Sequence, residues 1–435
     1  MIMKLRKLTA VLLLLAALVQ LAGCAGGGAS VQPSTASEPL PDEPTSAPVS
    51  EEPASAPVSE DPVLPSAQEA TFSQASADFA AELLHHSFQT NENTTLSPYS
   101  VLTALAMAAG GANGETLREM EAVFGLPIDR LNSALKDCRA LPGEELLTAN
   151  SLWIRDDIDV LPEFLESNES FYGAEVYRAP FDSTTVETIN NWIAEHTKDR
   201  LKDVIDSLDP TAALCLVNAL TFDDKWQDEF EENNIREGEF HAASGKTQTV
   251  DMMHGGAERY LASEDAVGFV KHYDSRHYDF IALLPNENVG IEDYVNQLDG
   301  STILELLENQ SKEPVAISMP RFKTEYKTEL SNALRSMGMP LAFDRYAADF
   351  TRMAELKPDE RLYIDSVIHQ TYLSVDGAGT EAAAATVVEI ALGATAIDPQ
   401  PEPKRVILDR PFVWLIWDTR AETPVFIGVV NSVAK

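Results

Sequence analysis

The sequence predicts an α+β domain built mainly on antiparallel sheets. Helical patterns fill the first part of the folded region, and strand patterns with short connections dominate after residue 211. Helices followed by a run of strands are typical of this class. With 435 residues, of which 44% are hydrophobic, the chain is long enough to bury a large core.

The amino terminus reads as a bacterial lipoprotein signal. Three basic residues precede the apolar run from Leu8 to Val19, which is short for a membrane span. The tetrapeptide Leu-Ala-Gly-Cys ends at Cys24, a pattern that indicates removal of residues 1–23 and lipid attachment to the thiol. An ordinary secretory signal that contains a cysteine is the alternative. We expect a chain outside the cytoplasm, anchored through Cys24 at the outer face of a bacterial membrane or shed from it.

Residues 24–70 read as a disordered tether that follows the lipidated cysteine. They are rich in Pro, Ser, Ala, Gly and Glu, contain SAPVSE twice and lack aromatic residues. Such a composition cannot bury enough apolar surface to fold. The folded domain is therefore predicted to span residues 71–435.

The chain is strongly acidic. Its formal net charge is −37, and it becomes −40 when the signal and its three basic residues are removed. This balance argues against nucleic-acid binding, which needs clustered Lys and Arg.

No residues have metal-ligand spacing, and His85-His86 reads as a surface and a half-buried position of a helix. We expect no metal and no cofactor. Cys138 and Cys215 alone do not establish a disulfide.

Five helices are predicted directly. The first three cover residues 72–88, 97–109 and 114–126, where apolar side chains recur at helical spacing and glycines mark ends. The fourth covers 189–205, with late basic residues that suit the negative end of a helix. A further helix at 327–338 interrupts the strands.

Strand patterns follow one another closely in the second half. Residues 212–222 form a strand that is too apolar for the edge of a sheet. The other strands are predicted at 278–286, 315–326, 370–376, 411–418 and 424–432.

No enzyme signature occurs. The sequence has no GxSxG, HExxH, P-loop or GxGxxG motif. Ser97 and Ser100 together with His369 resemble parts of a Ser-His-Asp triad, but a triad is defined by geometry, and helix capping and packing suit these serines better. The chain is therefore predicted not to be an enzyme.

Residues 377–398 are compatible with two different conformations. The run of four alanines favours a helix. Yet alternate positions from Thr380 to Leu392 are small and then apolar, and both acids fall in the other set, as in a strand with one buried face. The segment has no proline before 399 and ends in DPQPEP. Loops of this length inside a compact domain are usually functional or disordered.

Six stretches carry a family resemblance, and they are LSPYSVLTALAMAAGGANGETLREM (96–120), NSLWI (150–154), LVNALTFDDKW (216–226), MPRFKTEYKTELSNALRSMGMPLAFDRYAADF (319–350), HQTYLSVDGAGTEAAAAT (369–386) and RPFVWLIWDTRAETPVFIGVVNSV (410–433). Together, and in this order, they resemble the serpin family of serine protease inhibitors. The resemblance covers 71–435. It implies a serpin-like α+β fold with a large central antiparallel or mixed β-sheet, further sheets, about eight or nine helices and an exposed reactive loop at about 377–405.

The resemblance implies how the unusual segment works. A serine protease would cut the loop and form an acyl-enzyme. The cut loop would then enter the central sheet as a new strand and distort the protease before the ester is hydrolysed. Small side chains without proline suit such a strand. The hinge that enters first would be Gly379, Thr380, Glu381, Ala382, Ala383, Ala384, Ala385 and Thr386.

The resemblance also assigns two buried regions. The "shutter", where the sheet parts, would contain Ser100, Thr103, Asn218 and His369, and the "breach", where insertion begins, would contain Trp226. Satisfied buried polar groups and a core tryptophan are the simpler interpretation, and both descriptions can hold together.

Two departures from the family concern the loop. Gly377 stands where the family usually has an acid, which removes a possible ion pair at the top of the sheet. The loop is also long at its C-terminal end. Counting forward from the hinge glycine places the scissile bond at Gly393–Ala394, with Leu392–Gly393 as the alternative.

The loop sequence predicts the class of protease. Residues 387–403 contain no Lys or Arg, so trypsin-like enzymes, which need a basic side chain, are not expected targets. The apolar sequence suits elastase-like enzymes, or chymotrypsin-like and subtilisin-like ones. The leading prediction is a monomeric, extracytoplasmic serine protease inhibitor that acts as a suicide substrate. A non-inhibitory serpin-fold binding protein and a surface solute-binding lipoprotein are the alternatives.

Overall fold

The computed structural model describes residues 3–4, 70–209, 212, 214–357, 360–380 and 403–433. Cys24, residues 24–69 of the tether and residues 381–402 of the loop therefore lie outside the described residues. Within the described ranges, no helix is long and apolar enough to cross a bilayer.

Nine α-helices occur among the described residues, in agreement with the eight or nine that the resemblance implies. They are α1 (Phe72–Ser87), α2 (Pro98–Ala109), α3 (Gly114–Phe124), α4 (Ile128–Ala140), α5 (Pro162–Tyr172), α6 (Ser183–His196), α7 (Ile291–Gln297), α8 (Gly300–Glu308) and α9 (Ser331–Met337).

The strands are β1 (Met3–Lys4), β2 (Thr94–Leu96), β3 (Leu146–Arg155), β4 (Glu175–Ala179), β5 (Leu214–Phe222), β6 (Asp224–Lys225), β7 (Ile235–His241), β8 (Thr247–Ala257), β9 (Arg259–Ala262), β10 (Ala266–His272), β11 (Tyr278–Pro285), β12 (Val315–Pro320), β13 (Phe322–Glu329), β14 (Ile368–Val375), β15 (Gly379–Thr380), β16 (Lys404–Ile407), β17 (Phe412–Asp418) and β18 (Thr423–Val430).

These strands form four sheets. The largest is antiparallel, with the order β2-β18-β17-β11-β10-β9, and a second has the order β16-β12-β8-β7. The remaining two, β1-β4-β3-β5 and β13-β14-β15-β6, matter most for function. Helices followed by mostly antiparallel sheets confirm the predicted α+β class. The β3–β4 pair and the β12–β16 pair are parallel.

The C-terminal hairpin forms the centre of the core. Every residue of β17 and β18 is buried, and α2 lies beside β18 with 11 of its 12 residues buried. Strands buried on both faces read as continuous apolar runs, which is why the sequence predicts them well.

Two predicted helices have different bounds in the structure. The helix expected at 189–205 ends at His196, because Lys198 and Asp199 adopt left-handed backbone angles (φ 52° and 64°) that interrupt it. The helix expected at 327–338 begins only at Ser331. Residues 327–329 instead extend β13, since they pair with β14. Long-range pairing overrides local propensity there.

Candidate functional site

The candidate site is the boundary between β5 and β14, which we call the seam. β5 pairs with β3 along its whole length and is the last strand of its sheet among the described residues. β14 pairs with β13 along its whole length and with β15 only at Val375. The sequence predicts an interior position for β5, whereas β3 is its one strand neighbour within the part of the chain that the structure describes. An apolar strand that has no described neighbour on one side is a place where a further strand fits.

The hinge already closes one end of the seam. Gly379 pairs with Lys225 and Thr380 with Asp224 on one side, while Thr380 pairs with Val375 on the other side, and both pairings are antiparallel. A Cβ atom on Gly379 would lie 2.3 Å from the carbonyl oxygen of Asp224, so only glycine fits. A strand that continued from Thr380 along the seam would be antiparallel to both neighbours.

Aromatic packing holds the hinge in place. Thr380 is fully buried, and its hydroxyl is 2.6 Å from the hydroxyl of Tyr273. The Tyr273 ring stacks on Trp226 with the centroids 4.6 Å apart. The Trp226 indole N–H donates to the carbonyl of Asp376 (2.8 Å), and the Trp226 amide donates to the carbonyl of Ala378 (2.9 Å). Burial raises the pKa of Tyr273 well above its usual value, so its hydroxyl stays protonated.

A carboxyl group lies beside the hinge. Asp224 is buried, and its Oδ2 atom has no hydrogen-bond partner among the described residues. Burial raises the pKa of Asp224; a hydrogen bond with Ser275 opposes the rise, and the charge of Glu145 adds to it. Burial therefore disfavours the charged form of the residue that pairs with Thr380.

The structure accounts for the glycine at 377. Its carbonyl accepts from the amide of Phe230 (2.8 Å), and a Cβ atom here would lie 2.9 Å from Ile235 Cδ1. The same Cβ would lie 3.6 Å from the Arg321 guanidinium. Arg321 instead pairs with Glu232 at 3.2 Å. The ion pair that an acid at 377 would make is thus supplied by the neighbouring turn at 232–234.

The other end of the seam is open. A cavity of about 250 Å³ lies between the first residues of β5 and β14, with α2 on one side. Most of its lining is apolar, and representative residues are Val101, Leu105, Leu208, Leu216 and Leu362. A cavity between two free edges leaves room for the side chains of an entering strand.

A chain of neutral polar groups crosses the β5 side of this opening. The hydroxyl of Ser100 donates to the Asn218 carbonyl oxygen. The Asn218 amide donates to Asn150 (2.6 Å), and the Asn150 amide donates to the carbonyl of Tyr172 (2.9 Å). The structure therefore brings together two of the predicted shutter residues, Ser100 and Asn218.

The two other shutter residues form hydrogen bonds with backbone groups at the start of α2. His369 Nε2 accepts from the amide of Ser97 (3.1 Å), which places the ring proton on Nδ1. Complete burial lowers the pKa of His369 to about 4, so the ring is neutral at neutral pH. The Thr103 hydroxyl donates to the carbonyl of Tyr99 one turn earlier (2.7 Å) and is not joined to the Ser100 chain.

Sequence reasoning missed three residues of this site. Asn150 could have been found from the sequence, because it is a lone amide in the apolar stretch NSLWI. In the structure it lies opposite Asn218 in the β3–β5 register. No sequence feature marks Tyr273 or Asp224, since their roles depend on contacts with the distant hinge. The hinge positions from Glu381 to Thr386 and both candidate bonds at 392–394 lie outside the described residues.

Comparison with known proteins gives consistent matches. A family model described as Serpin (serine protease inhibitor) matches residues 74–433. An uncharacterized serpin-like protein of Thermococcus kodakarensis is 31% identical over 431 residues, which cover 96% of this chain and 97% of that protein.

Solved structures agree. The thermophilic serpin tengpin in its native state has a TM-score of 0.77 and 37% identity, covering 83% of this chain and 94% of tengpin. The latent state of tengpin has a TM-score of 0.73 and 35% identity, covering 83% of this chain and 98% of that one.

Proposed function

The chain belongs to the serpin family of serine protease inhibitors, and from this premise we propose that it traps its target protease as a suicide substrate. The protease would attack the loop, form an acyl-enzyme ester and free a new amino terminus on the C-terminal part of the chain, whose strands β17 and β18 are buried in the core. The N-terminal part of the loop would then fill the seam as a strand and carry the protease with it.

The single observation that supports insertion most directly is the pairing of Gly379 and Thr380. These residues already occupy the first position of the missing strand, with partners on both sides. Their direction is the one that a strand entering between β5 and β14 needs. Insertion would therefore extend an existing strand pairing, and the free-energy cost of forming the first pair would already have been met.

The free energy available has the right scale. About a dozen residues that each gain a net hydrogen bond of ~0.5–1.5 kcal/mol amount to some ten kcal/mol. Burial of Val388 and Ile390, which the strand pattern places on the inward face, would add ~1.5–3 kcal/mol each. This total is comparable with the stability of a whole domain, ~5–15 kcal/mol. The uncut form would then persist for kinetic rather than thermodynamic reasons.

The target class follows from the loop sequence. The absence of Lys and Arg from 387–403 supports an elastase-like target, or a chymotrypsin-like or subtilisin-like one, with cleavage at Gly393–Ala394 or Leu392–Gly393. The signal pattern before Cys24 supports action outside the cytoplasm from a lipid anchor. A Cys24→Ser variant that still partitions into membranes would contradict the anchor.

A gel assay tests the proposal. The full chain is mixed with pancreatic elastase and, in parallel, with trypsin, and the products are separated under denaturing conditions. We expect a band near the summed masses with elastase only, together with a released peptide whose first residue, by mass spectrometry, is Ala394 or Gly393. A peptide that starts after Lys404 or Arg405 would contradict the predicted specificity.

A clipped chain without the large band needs a second measurement. A large rise in melting temperature after clipping would indicate that the loop inserts but that this protease escapes. No rise would contradict the insertion mechanism and favour a non-inhibitory family member.

A further inference from the structure

The last two turns of α1 bring three possible metal ligands together on the surface. They are the carboxylate of Glu82 and the imidazoles of His85 and His86, and all three residues are exposed. Residues at positions i, i+3 and i+4 lie on one face of a helix. Two adjacent histidines alone do not have metal-ligand spacing, and the third donor comes from Glu82 one turn earlier in the helix.

The distances suit one shared ion. One donor atom from each of the three side chains lies within 4.8 Å of the other two. His86 Nε2 and Glu82 Oε2 are only 3.5 Å apart. Bonds of about 2.0–2.1 Å in a tetrahedral zinc site require donors roughly 3.3 Å apart. Exposed side chains are free to change rotamer, so binding of the ion would draw the three donors toward that spacing.

The surroundings favour a cation. α1 ends at Ser87, so the three side chains lie at the negative end of the helix. The two imidazole rings stack with centroids 4.9 Å apart and an interplanar angle of 14°, so they lie side by side on the surface. The chain has a formal charge of −37, which attracts cations to the whole surface.

We propose that Glu82, His85 and His86 form a binding site for a divalent transition metal of the zinc class. Two imidazoles and one carboxylate are the donors that zinc accepts in open sites, and water would complete the coordination. Calcium and magnesium, which prefer oxygen donors, would bind this site poorly. The site lies on α1, away from the seam, and it does not depend on the proposed inhibition.

Titration calorimetry with Zn²⁺ tests the site. The tag-free full chain, its His85→Ala/His86→Ala variant and a control variant, His241→Ala/His254→Ala, are titrated at pH 7.5. His241 and His254 are likewise exposed, and each bonds a hydroxyl, of Thr247 and Ser318 respectively. Alanine favours helices, so the α1 variant should fold normally, which its melting temperature without metal verifies.

We expect one strong Zn²⁺ equivalent in the wild-type and control chains, and binding weaker by about tenfold or more in the α1 variant. Zn²⁺ should also raise the melting temperature of the first two proteins and not of the third. Equal binding by the α1 variant, or no binding by the wild-type chain at 100-fold metal excess, would overturn the proposal.

Discussion

The two ends of the seam differ in almost every respect. At the hinge end, a two-residue strand already pairs on both sides, and three aromatic side chains, Phe222, Tyr273 and Trp226, pack together around it. At the other end, β5 and β14 belong to separate sheets, a cavity lies between them, and neutral polar groups line the opening.

On the proposed mechanism, the two ends would have separate tasks. The hinge end would fix where insertion begins and in which direction, because Gly379 and Thr380 already pair there. The open end would set how far insertion proceeds, because Ser100, Asn218 and His369 line the cavity along which the strand would enter. Four substitutions probe the comparison.

Thr380→Arg should have the largest effect. The side chain at this position is fully buried, and burying an unpaired charge costs several kcal/mol. The hinge would leave the seam, so the cut loop would insert late and the protease would hydrolyse the ester first. We expect the ratio of inhibitor consumed to protease trapped to rise by about tenfold or more, measured by titration against elastase.

Thr380→Ser is the matched control, because it keeps the hydroxyl that contacts Tyr273. It should trap elastase at nearly the wild-type ratio. If the arginine variant also did so, the hinge end would not control insertion.

His369 should make the open end sensitive to acid. Its pKa is about 4 in the folded chain, against about 6.5 in the unfolded chain, so the unfolded state takes up a proton first. Its contribution to stability is complete above pH 6.5 and is lost as the pH falls toward 4, by about 3 kcal/mol in total. Urea midpoints between pH 7.5 and 4.5 measure this loss.

His369→Gln separates this effect from that of the many carboxylates. The variant should lose stability less steeply than the wild type over the same range. Identical slopes would show that His369 does not link acid to the seam.

Asp224→Asn should stabilise the hinge end. Because burial raises the folded pKa of Asp224, the charged form is penalised above that pKa, and the penalty disappears below the unfolded pKa of about 3.9. The amide should therefore raise stability by roughly 1 kcal/mol at pH 7, and the gain should shrink as the pH falls toward 4.

The neighbouring residue provides the control for that prediction. Asp223 pairs with Arg200 at 2.5 Å, so Asp223→Asn should not stabilise. Equal gains from both variants would mean that any lost charge stabilises this acidic chain, without a specific role for position 224.

Gly377→Glu should have the smallest effect. The new carboxylate would compete with Glu232 for Arg321, and partly exposed ion pairs contribute only about 0–1 kcal/mol. Contact with Ile235 offsets part of this gain. We expect the free energy of unfolding of the glutamate variant to be slightly higher than that of its Gly377→Gln control in low salt and equal to it in high salt. A gain above 2 kcal/mol would mean that the glycine weakens this end substantially.

Local sequence patterns predicted where the helices and strands lie better than which strands pair with each other. The three N-terminal helices, the C-terminal hairpin and the extended character of β5 and β14 follow from periodicity and apolar runs. The position of β5 at the end of its sheet, as far as the described residues show it, does not follow from them, because the sequence of 212–222 is that of an interior strand and strand pairing is decided by distant parts of the chain. The late start of α9 also depends on contacts far along the chain, because residues 327–329 pair with β14. The early end of α6 coincides with the left-handed backbone angles of Lys198 and Asp199, which its helical pattern does not reveal.

The site was predictable only in part, for the same reason. Family resemblance singled out Trp226, Ser100 and Asn218, and the structure adds their partners. The contact of Tyr273 with Thr380 joins residues 107 positions apart, and the pairing of Asp224 with Thr380 joins residues 156 positions apart. No sequence periodicity connects such residues, so only the three-dimensional position of the hinge at the end of the seam identifies their roles.

Hydrogen exchange of β5 before and after cleavage by elastase tests the central claim most directly. Every second amide of Leu214–Phe222 faces the seam, while the others bond to β3. If the cleaved loop fills the seam, the seam-facing amides should exchange at least about tenfold more slowly after cleavage, with protection extending from the hinge end to the open end. Unchanged exchange in a fully cleaved chain would show that the seam stays empty, and the insertion mechanism would be wrong.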